Sequence, residues 1–384
     1  MASITTLSHK DGGTSYRVEW RDDSGDKRRK AFRVKREAER FAARIETAKA
    51  EGRSTLEHKP RSETVAQVVE MSMTAAAQKL KPGTLAAYRL LYDRAIIPEF
   101  GRLPITRVTS QKIESWVHAL SAKGLAPHTV HNYWVGLSRL FTYAIRHRIH
   151  PGPNPCAAVE RPKSRPRDEF EAQFLTVPQM EAVAAKLAER EEWMGTLFRF
   201  MCVTGLRSAE VAGLRVQDVV LTSPGAHVEV RQTYRRINNV WVKGTPKSNR
   251  STRDVPILSK SLIAELRKVL LMNPNSGDAE ALFWPGRQNG SRRLDWNRPI
   301  AMSGFLSYYL RPAIEACKLS EAFRNHDTRH TAASLWLAAG FQPFQVSRWL
   351  GHSSLELVGR VYGHLYANDY TAEVEKFERF VAEG

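Results

Sequence analysis

Four short stretches of the sequence concentrate side chains able to handle a phosphate. In TGLRSAEVAGLR (204–215), Arg207 and Glu210 stand three residues apart behind a Thr-Gly turn, about one helical turn. HDTRH (326–330) puts His326 and Arg329 at the same spacing at the entrance of the helical pattern TAASLWLAAG. LGHSS (350–354) sets His352 directly after Gly351, and Tyr362 follows ten residues later in RVYGHLY. Singly, each has a plain structural reading. TGLRSAEVAGLR reads equally as a capped helix start with an i,i+3 ion pair, and Tyr362, Tyr366 and Tyr370 recur every four residues as a packed aromatic stripe would.

Together they point to one chemistry more than to others. His326 and His330 have an i,i+4 metal spacing, but Asp327 stands where a zinc-protease helix carries Glu, and no third ligand is well spaced. No GxSxG elbow occurs, so a serine hydrolase has no footing. Two arginines, a lysine, two histidines and a tyrosine in a strongly basic chain suit phosphoryl transfer on DNA without a metal. Planar guanidinium forks neutralise the non-bridging oxygens of the transition state. A tyrosine oxygen attacks phosphorus, and a lysine or histidine protonates the leaving 5′ oxygen. Neither a metal nor another cofactor is expected.

Composition favours a polyanionic partner. The 384 residues carry 58 Lys and Arg against 40 Asp and Glu, a formal net charge of +18, and an excess of that size favours nucleic acid through phosphate neutralisation and counterion release. With 42% apolar residues, no apolar run of membrane-spanning length and no apolar segment in MASITTLSHKDGG, the chain reads as a soluble, intracellular, globular protein. Cys156, Cys202 and Cys317 are far apart and form no CxxC pair, so neither a zinc site nor a disulfide framework is indicated.

The elements that must position these residues fall into three groups. SYRVEWR and RRKAFRVK alternate around the turn DDSGDK as a hairpin, and the helix from Lys35 presents Ala38, Phe41, Ala42 and Ile45 on one face before Gly52 stops it. Arg17, Arg21, Lys27, Arg28, Arg29, Lys30, Arg33 and Lys35 make this module (1–55) very basic, able to reach phosphates or base edges in a major groove. The polar stretch EGRSTLEHKPRSE reads as a linker. Four helical patterns fill 62–160, with Ser62 and Ser110 as N-caps and one helix behind the Pro-Gly turn at 82–83. The last of them carries Val130, Tyr133, Leu137, Leu140, Phe141 and Ala144 as an apolar stripe, while His131, Arg139, Arg146, His147 and Arg148 lie mostly elsewhere. PGPNPC and the cationic RPKSRPRDE form a second linker. The remainder, 170–384, reads helix, helix, three strands (AHVEVRQTYRR, NVWVKG, STRDVPI), then helices.

These stretches, joined by a lysine turn between the first and the second, resemble in their order the four-motif signature of the tyrosine recombinases of the phage integrase family. TGLRSAEVAGL matches the first motif, assigning Arg207 as first arginine and Glu210 as its buried acid. TPKSNRSTRDVPI matches the lysine turn and assigns Lys247, with Lys243, Arg250 and Arg253 as neighbouring cations; HDTRHTAASL assigns His326 and Arg329; LGHSSLELVGRVYGH assigns His352 and Tyr362. LELVGRV lacks the Thr-Thr pair common in relatives.

The resemblance implies a multidomain, mainly α protein with small β-sheets. Its parts would be an arm-type DNA-binding module at 1–55, a helical core-binding domain at 62–160 and a mixed α+β catalytic domain at 170–384. It implies cleavage of double-stranded DNA attachment sites through a 3′-phosphotyrosyl link and a Holliday junction by a homotetramer. A DNA-bending host factor and an excisionase would be accessory partners, no membrane would be involved, and the place of action would be the host cytoplasm at the nucleoid. Arg17, Arg21, Arg28, Arg33, Lys35, Arg139 and Arg146 are the expected DNA contacts. The final segment, NDYTAEVEKFERFVAEG, presents Tyr370, Val374, Phe377, Phe380 and Val381 on one helical face, for docking on its own domain or on a neighbouring subunit. A host chromosome-dimer resolving recombinase and an inactive DNA-binding relative are the competing readings.

Overall fold

The structure, a computed structural model, describes residues 2–8, 13–22, 25–51, 63–162, 173–222, 225–246, 251–288, 291, 293–351 and 371–383. Its contacts divide the chain into two compact units, Met1–Leu80 with Ala87–Ser164 and Lys81–Ala86 with Arg165–Gly384.

In the first unit, β1 (Ser3–Ser8), β2 (Thr14–Arg21) and β3 (Lys27–Phe32) form an antiparallel sheet in that order. The sequence reads only as the β2–β3 hairpin; β1 is an addition. Val18 and Trp20 of β2 pack under α1 (Lys35–Ala50), whose Ala38, Phe41, Ala42 and Ile45 complete a small core. The register then sorts the cations by face. Arg28 and Lys30 pair with Trp20 and Val18 and so lie on the helix side, whereas Lys27, Arg29, Arg17 and Arg21 share the open face with Glu19.

A separate helical core follows, built from α2 (Val65–Ala77), α3 (Pro82–Leu91), α4 (Ser110–Ala122) and α5 (Pro127–Arg146). Three helix starts differ from the sequence reading. Ser62 lies outside the described residues, and α2 is capped by Thr64 in a reciprocal box, Gln67 N–H donating to Thr64 Oγ1 at 3.3 Å and Thr64 N–H to Gln67 Oε1 at 2.8 Å. Thr109, not Ser110, caps α4, because its extended backbone (φ −91°, ψ 162°) aims the hydroxyl at the Lys112 N–H. Pro82 opens α3 instead of preceding it, its fixed φ suiting the first turn. α3 runs on through a π turn (Tyr92–Ile96) into Ile97–Phe100. The wide turn sits just before Pro98, which has no N–H to give the regular ladder. On α5, Val130, Leu137, Leu140, Phe141 and Ala144 are buried and Tyr133 packs against the same core half-buried.

The second unit is organised around α7 (Glu192–Thr204), which follows α6 (Val177–Ala188). Trp193, Met194, Leu197, Phe198, Phe200, Met201 and Cys202 are all buried, so α7 is apolar on nearly every side. A single helical turn, Ser208–Val211, comes next. The three expected strand stretches hold four strands, and a two-residue strand precedes them. β4 (Val219–Val220), β5 (His227–Val230) and β8 (Arg253–Pro256) form one antiparallel sheet, and β6 (Thr233–Ile237) and β7 (Val240–Gly244) form another. AHVEVRQTYRR is split between them. The break falls where Gln232 Nε2 donates to Gly213 O at 2.8 Å and the Gly213 backbone approaches so closely that a Cβ there would stand 2.8 Å from Thr233 Cα. Asn238 (φ 47°) and Asn239 (φ 65°) turn the β6–β7 hairpin in the left-handed region that Asn tolerates.

Beyond α8 (Lys260–Met272), β9 (Gly286–Arg287) and β10 (Leu294–Asp295) make a two-residue ladder. Then come α9 (Met302–Phe305), which continues through a second π turn (Leu306–Leu310) ahead of Pro312 to Ala316, and α10 (Asp327–Ala338), α11 (Pro343–Leu350) and α12 (Thr371–Glu383). The fold is mainly helical with small antiparallel sheets, as expected. Among the described residues no helix is long and apolar enough to cross a membrane.

Candidate active site

The C-terminal end of α11 gathers residues from three distant parts of the second unit. Gly351 ends the helix in the left-handed conformation (φ 63°), which leaves the last carbonyls without intrahelical partners. Three consecutive ones accept from three different arginines: Trp349 O from Arg253 Nε, Leu350 O from Arg329 Nη2 and Gly351 O from Arg207 Nη2 at 3.4 Å. Cations at a helix C-terminus also meet the negative end of its dipole.

Each arginine reaches that point for a local reason. Arg207 is the residue before the single turn Ser208–Val211. Its N–H donates to Glu210 Oε2 at 2.9 Å and its Nη1 to Glu210 Oε1 at 2.9 Å, and the side chain stays 26% exposed. The capped helix with an i,i+3 ion pair is therefore present, and the same pair leaves the Arg207 side chain partly open to solvent. Gly205, at φ 60°, makes the preceding turn, and its carbonyl accepts from Arg329 Nη1 at 2.9 Å. Arg329, in the first turn of α10, is 2% exposed.

Glu210 is 2% exposed and accepts from Arg253 as well, Nη1 at 3.2 Å and Nη2 at 3.0 Å. Burial alone would raise its pKa, but the charges and hydrogen bonds of Arg253 and Arg207 outweigh that and hold the carboxyl below its ordinary range. Arg253 gives Nη1 to Ser251 O at 2.9 Å too and is itself buried. With its donors engaged in this way, its place is beside Glu210 rather than as a proton donor alongside Lys247. Sequence reasoning carried Arg253 only as a neighbour of that lysine. The signal lay in the period of β8, where the pattern buried, exposed, buried puts Arg253 on the same inward face as Val255.

His326 precedes α10, and its ring meets that of His330 edge-on at 5.3 Å. His326 has an exposed rim, yet the protein packed behind it and then the Arg329 charge lower its pKa; His330 is pushed down to about 4, first by burial and then by His326. His330 is therefore neutral near neutral pH, and the surroundings of His326 favour its neutral form. Asp327 is fully buried and accepts from the Arg324 N–H at 2.7 Å and from Arg324 Nε at 3.2 Å, pinning the start of the helix that carries Arg329. Lys247, His352 and Tyr362 lie outside the described residues, as do Arg250, Tyr366 and Tyr370; Lys243 is exposed on β7.

The expected DNA contacts separate by environment. Arg17 and Arg21 lie on the open face of the N-terminal sheet, Arg21 donating to Gly25 O at 2.8 Å. Arg28 lies on the other face, 2.7 Å from the buried Asp22 carboxylate, which gives it a structural task. Arg33 and Lys35 are exposed before and at the start of α1, and Arg146 is exposed in the last turn of α5. Arg139 is exposed with its guanidinium 4.4 Å from the centre of the Tyr88 ring.

A sequence profile described as the phage integrase family matches residues 173–369, and one described as the phage integrase N-terminal SAM-like domain matches residues 64–121. The ICEBs1 integrase of Bacillus subtilis (strain 168) is 23% identical over 330 residues, spanning 83% of this chain and 84% of that protein. Two solved structures share the fold. The Tn1549 transposon integrase in complex with a circular intermediate DNA superposes with a TM-score of 0.61 at 19% identity, over 83% of this chain and all (100%) of that one. A lambda integrase tetramer bound to a Holliday junction gives a TM-score of 0.55 at 19% identity, over 92% of this chain and 94% of that one.

Proposed function

The chain belongs to the phage integrase family of tyrosine recombinases, enzymes that cleave and rejoin DNA, and from that premise we propose that it integrates the DNA of a phage or mobile element into a host chromosome. The observation that carries the residue roles is the anchoring of Arg207 and Arg329 on consecutive carbonyls, Gly351 O and Leu350 O, immediately before His352 in the chain. Two cations fixed on one helix end are pre-organised for a single anion.

In the proposed reaction Arg207, Arg329 and His352 bind and neutralise the scissile phosphate. The Tyr362 oxygen attacks phosphorus, the bond to the 5′ oxygen breaks, and Lys247 gives that oxygen its proton. His326 assists proton transfer or positioning, and the neutral imidazole favoured by its lowered pKa can take up the tyrosine proton. A 5′ hydroxyl from the partner strand then attacks the 3′-phosphotyrosyl link and displaces the tyrosine. The phosphodiester energy is conserved, so each step is reversible and needs no cofactor.

The three-part division at 1–55, 62–160 and 170–384 is supported by separate hydrophobic cores in the sheet module and in the helical segment, and by the SAM-like match within the second part. The open face of the sheet, with Arg17, Arg21, Lys27 and Arg29, is proposed to meet arm-type DNA, as do Arg33 and Lys35; Arg139 and Arg146 are proposed to meet the core site. On two attachment sites the protein would act as a homotetramer in the host cytoplasm, with a DNA-bending host factor and an excisionase as accessories. Docking of α12 on a neighbouring subunit is supported by Val374, Phe377, Phe380 and Val381, which are 53%, 68%, 73% and 62% exposed. The sheet module favours this reading over a chromosome-dimer resolving recombinase.

A nicked suicide duplex carrying the sequenced junction between the encoding element and its flanking chromosome tests the chemistry. Wild type should be trapped as a denaturant-resistant protein–DNA adduct and Tyr362→Phe should not. Trapping that survives in Tyr362→Phe and vanishes in Tyr366→Phe would reassign the nucleophile.

A further inference from the structure

We propose that Arg253 is a positioning residue for the first arginine of the phosphate clamp, an inference that rests on the recombinase reading. Its guanidinium is buried, lies at 3.2 and 3.0 Å from the two oxygens of Glu210, and also donates to Trp349 O. Glu210 thus faces two cations, Arg207 and Arg253. The three charges sum to +1 (two positive, one negative), so the carboxylate is balanced by a residue that never leaves the interior and the Arg207 charge remains for an anion. Without Arg253, the Glu210 carboxylate would have Arg207 alone as partner. Its pull would draw the guanidinium off Gly351 O and cancel the charge the phosphate needs.

Arg253 acts at a second point through the same side chain. Its Nε holds the carbonyl next to the two that anchor Arg329 and Arg207. One planar group therefore fixes the acid that orients Arg207 and the helix end that receives it, a task for which lysine, with a single point charge, is a poor substitute.

The test compares Arg253→Met, Arg253→Lys, Glu210→Gln and the Glu210→Gln/Arg253→Met pair in the full chain. The readouts are thermal melting, affinity for an uncleaved junction duplex, and single-turnover adduct formation on the nicked junction duplex. Wild type and Tyr362→Phe, run beside them, report separately on the recombinase reading, which fails if wild type forms no adduct. Arg253→Met should bind the duplex within about threefold of wild type and form adduct at least a hundredfold more slowly. Its rate should fall further as pH rises and the Glu210 carboxylate ionises, a trend that loss of packing alone does not produce. The double variant buries no unpaired charge, so it should fold even where Arg253→Met does not. It should recover at least tenfold over Arg253→Met, or over Arg253→Lys should the methionine variant not fold, and it should lose the pH trend. A wild-type rate in Arg253→Met, or a loss that Glu210→Gln leaves unrelieved in the folded double variant, would overturn the assignment.

Discussion

Replacing Gly205 by alanine tests how the clamp is held together, because that glycine is demanded twice. Its φ of 60° is left-handed, a conformation that costs an L side chain roughly 1–2 kcal/mol. A Cβ there would also stand 2.9 Å from Leu350 Cδ2 and 3.1 Å from Ala332 Cβ, and overpacking of that kind costs about 1–3 kcal/mol. The sum, roughly 2–5 kcal/mol, corresponds to a Tm lower by roughly 4–20 °C for a unit of this size. Gly340 supplies the control, since its φ is 86° and a Cβ would meet nothing within 4 Å. Gly340→Ala should carry only the backbone cost, about 1–2 kcal/mol. The damage in Gly205→Ala should also reach the site, because Gly205 O and Leu350 O are both acceptors of Arg329. Denaturant melts of both variants, with adduct formation measured well below the transition, provide the comparison. Equal melts for the two, or normal adduct formation in a destabilised Gly205→Ala, would refute the claim that this glycine spaces the helix end from the Arg329 anchor.

Acid should loosen the second unit in two windows. His330, lowered to about 4, stabilises the fold fully above its ordinary 6.5 and loses that contribution as pH falls toward 4, so Tm should decline over that range and decline less in His330→Gln. Glu210, also lowered, contributes above its ordinary value near 4.5 and loses this as pH falls through the folded pKa, a second decline that melts at still lower pH should show. Lys318 sits at φ 55°, so Lys318→Gly should stabilise by about 1 kcal/mol in denaturant titration. On duplex DNA, Arg29→Ala should lower the slope of log affinity against log salt by about 0.9. Arg28→Ala should leave that slope alone and lower Tm instead, since it removes the 2.7 Å ion pair of the buried Asp22 carboxylate.

Much of the fold was legible because burial imposes period. The α1 face of Ala38, Phe41, Ala42 and Ile45 and the α5 stripe through Leu137 and Phe141 are buried where a 3.6-residue repeat puts them. β1 escaped because its residues are almost all exposed, so no alternation marks it. The caps at Thr64 and Thr109 were missed by one or two positions, since Ser and Thr are chemically equal candidates and only backbone direction chooses between them. Arg207 with Glu210 could be picked out because helical spacing places the partners three residues apart, and His326 with Arg329 because their motif stands in order with the others. The period of β8 marks Arg253 as inward, but its partners could not be named, because Glu210 and Trp349 are distant in sequence and one of them is a backbone carbonyl, which no letter of the sequence records.

That carbonyl row explains why arginines from three parts of the chain converge. A helix that ends at a left-handed glycine exposes acceptors and the negative end of its dipole, and arginine can spend one N–H on such an acceptor while keeping others for an anion. A carboxylate at the same place would compete with phosphate for the guanidinium edge, whereas a carbonyl carries no full charge and leaves the cation intact. Glu210 is the exception at this site, and it is the group to which the buried Arg253 is committed. The site thus separates two jobs: neutral carbonyls set where Arg207 and Arg329 stand, and a buried counter-ion absorbs the acid that shapes the turn, so that positive charge survives at the C-terminal end of α11.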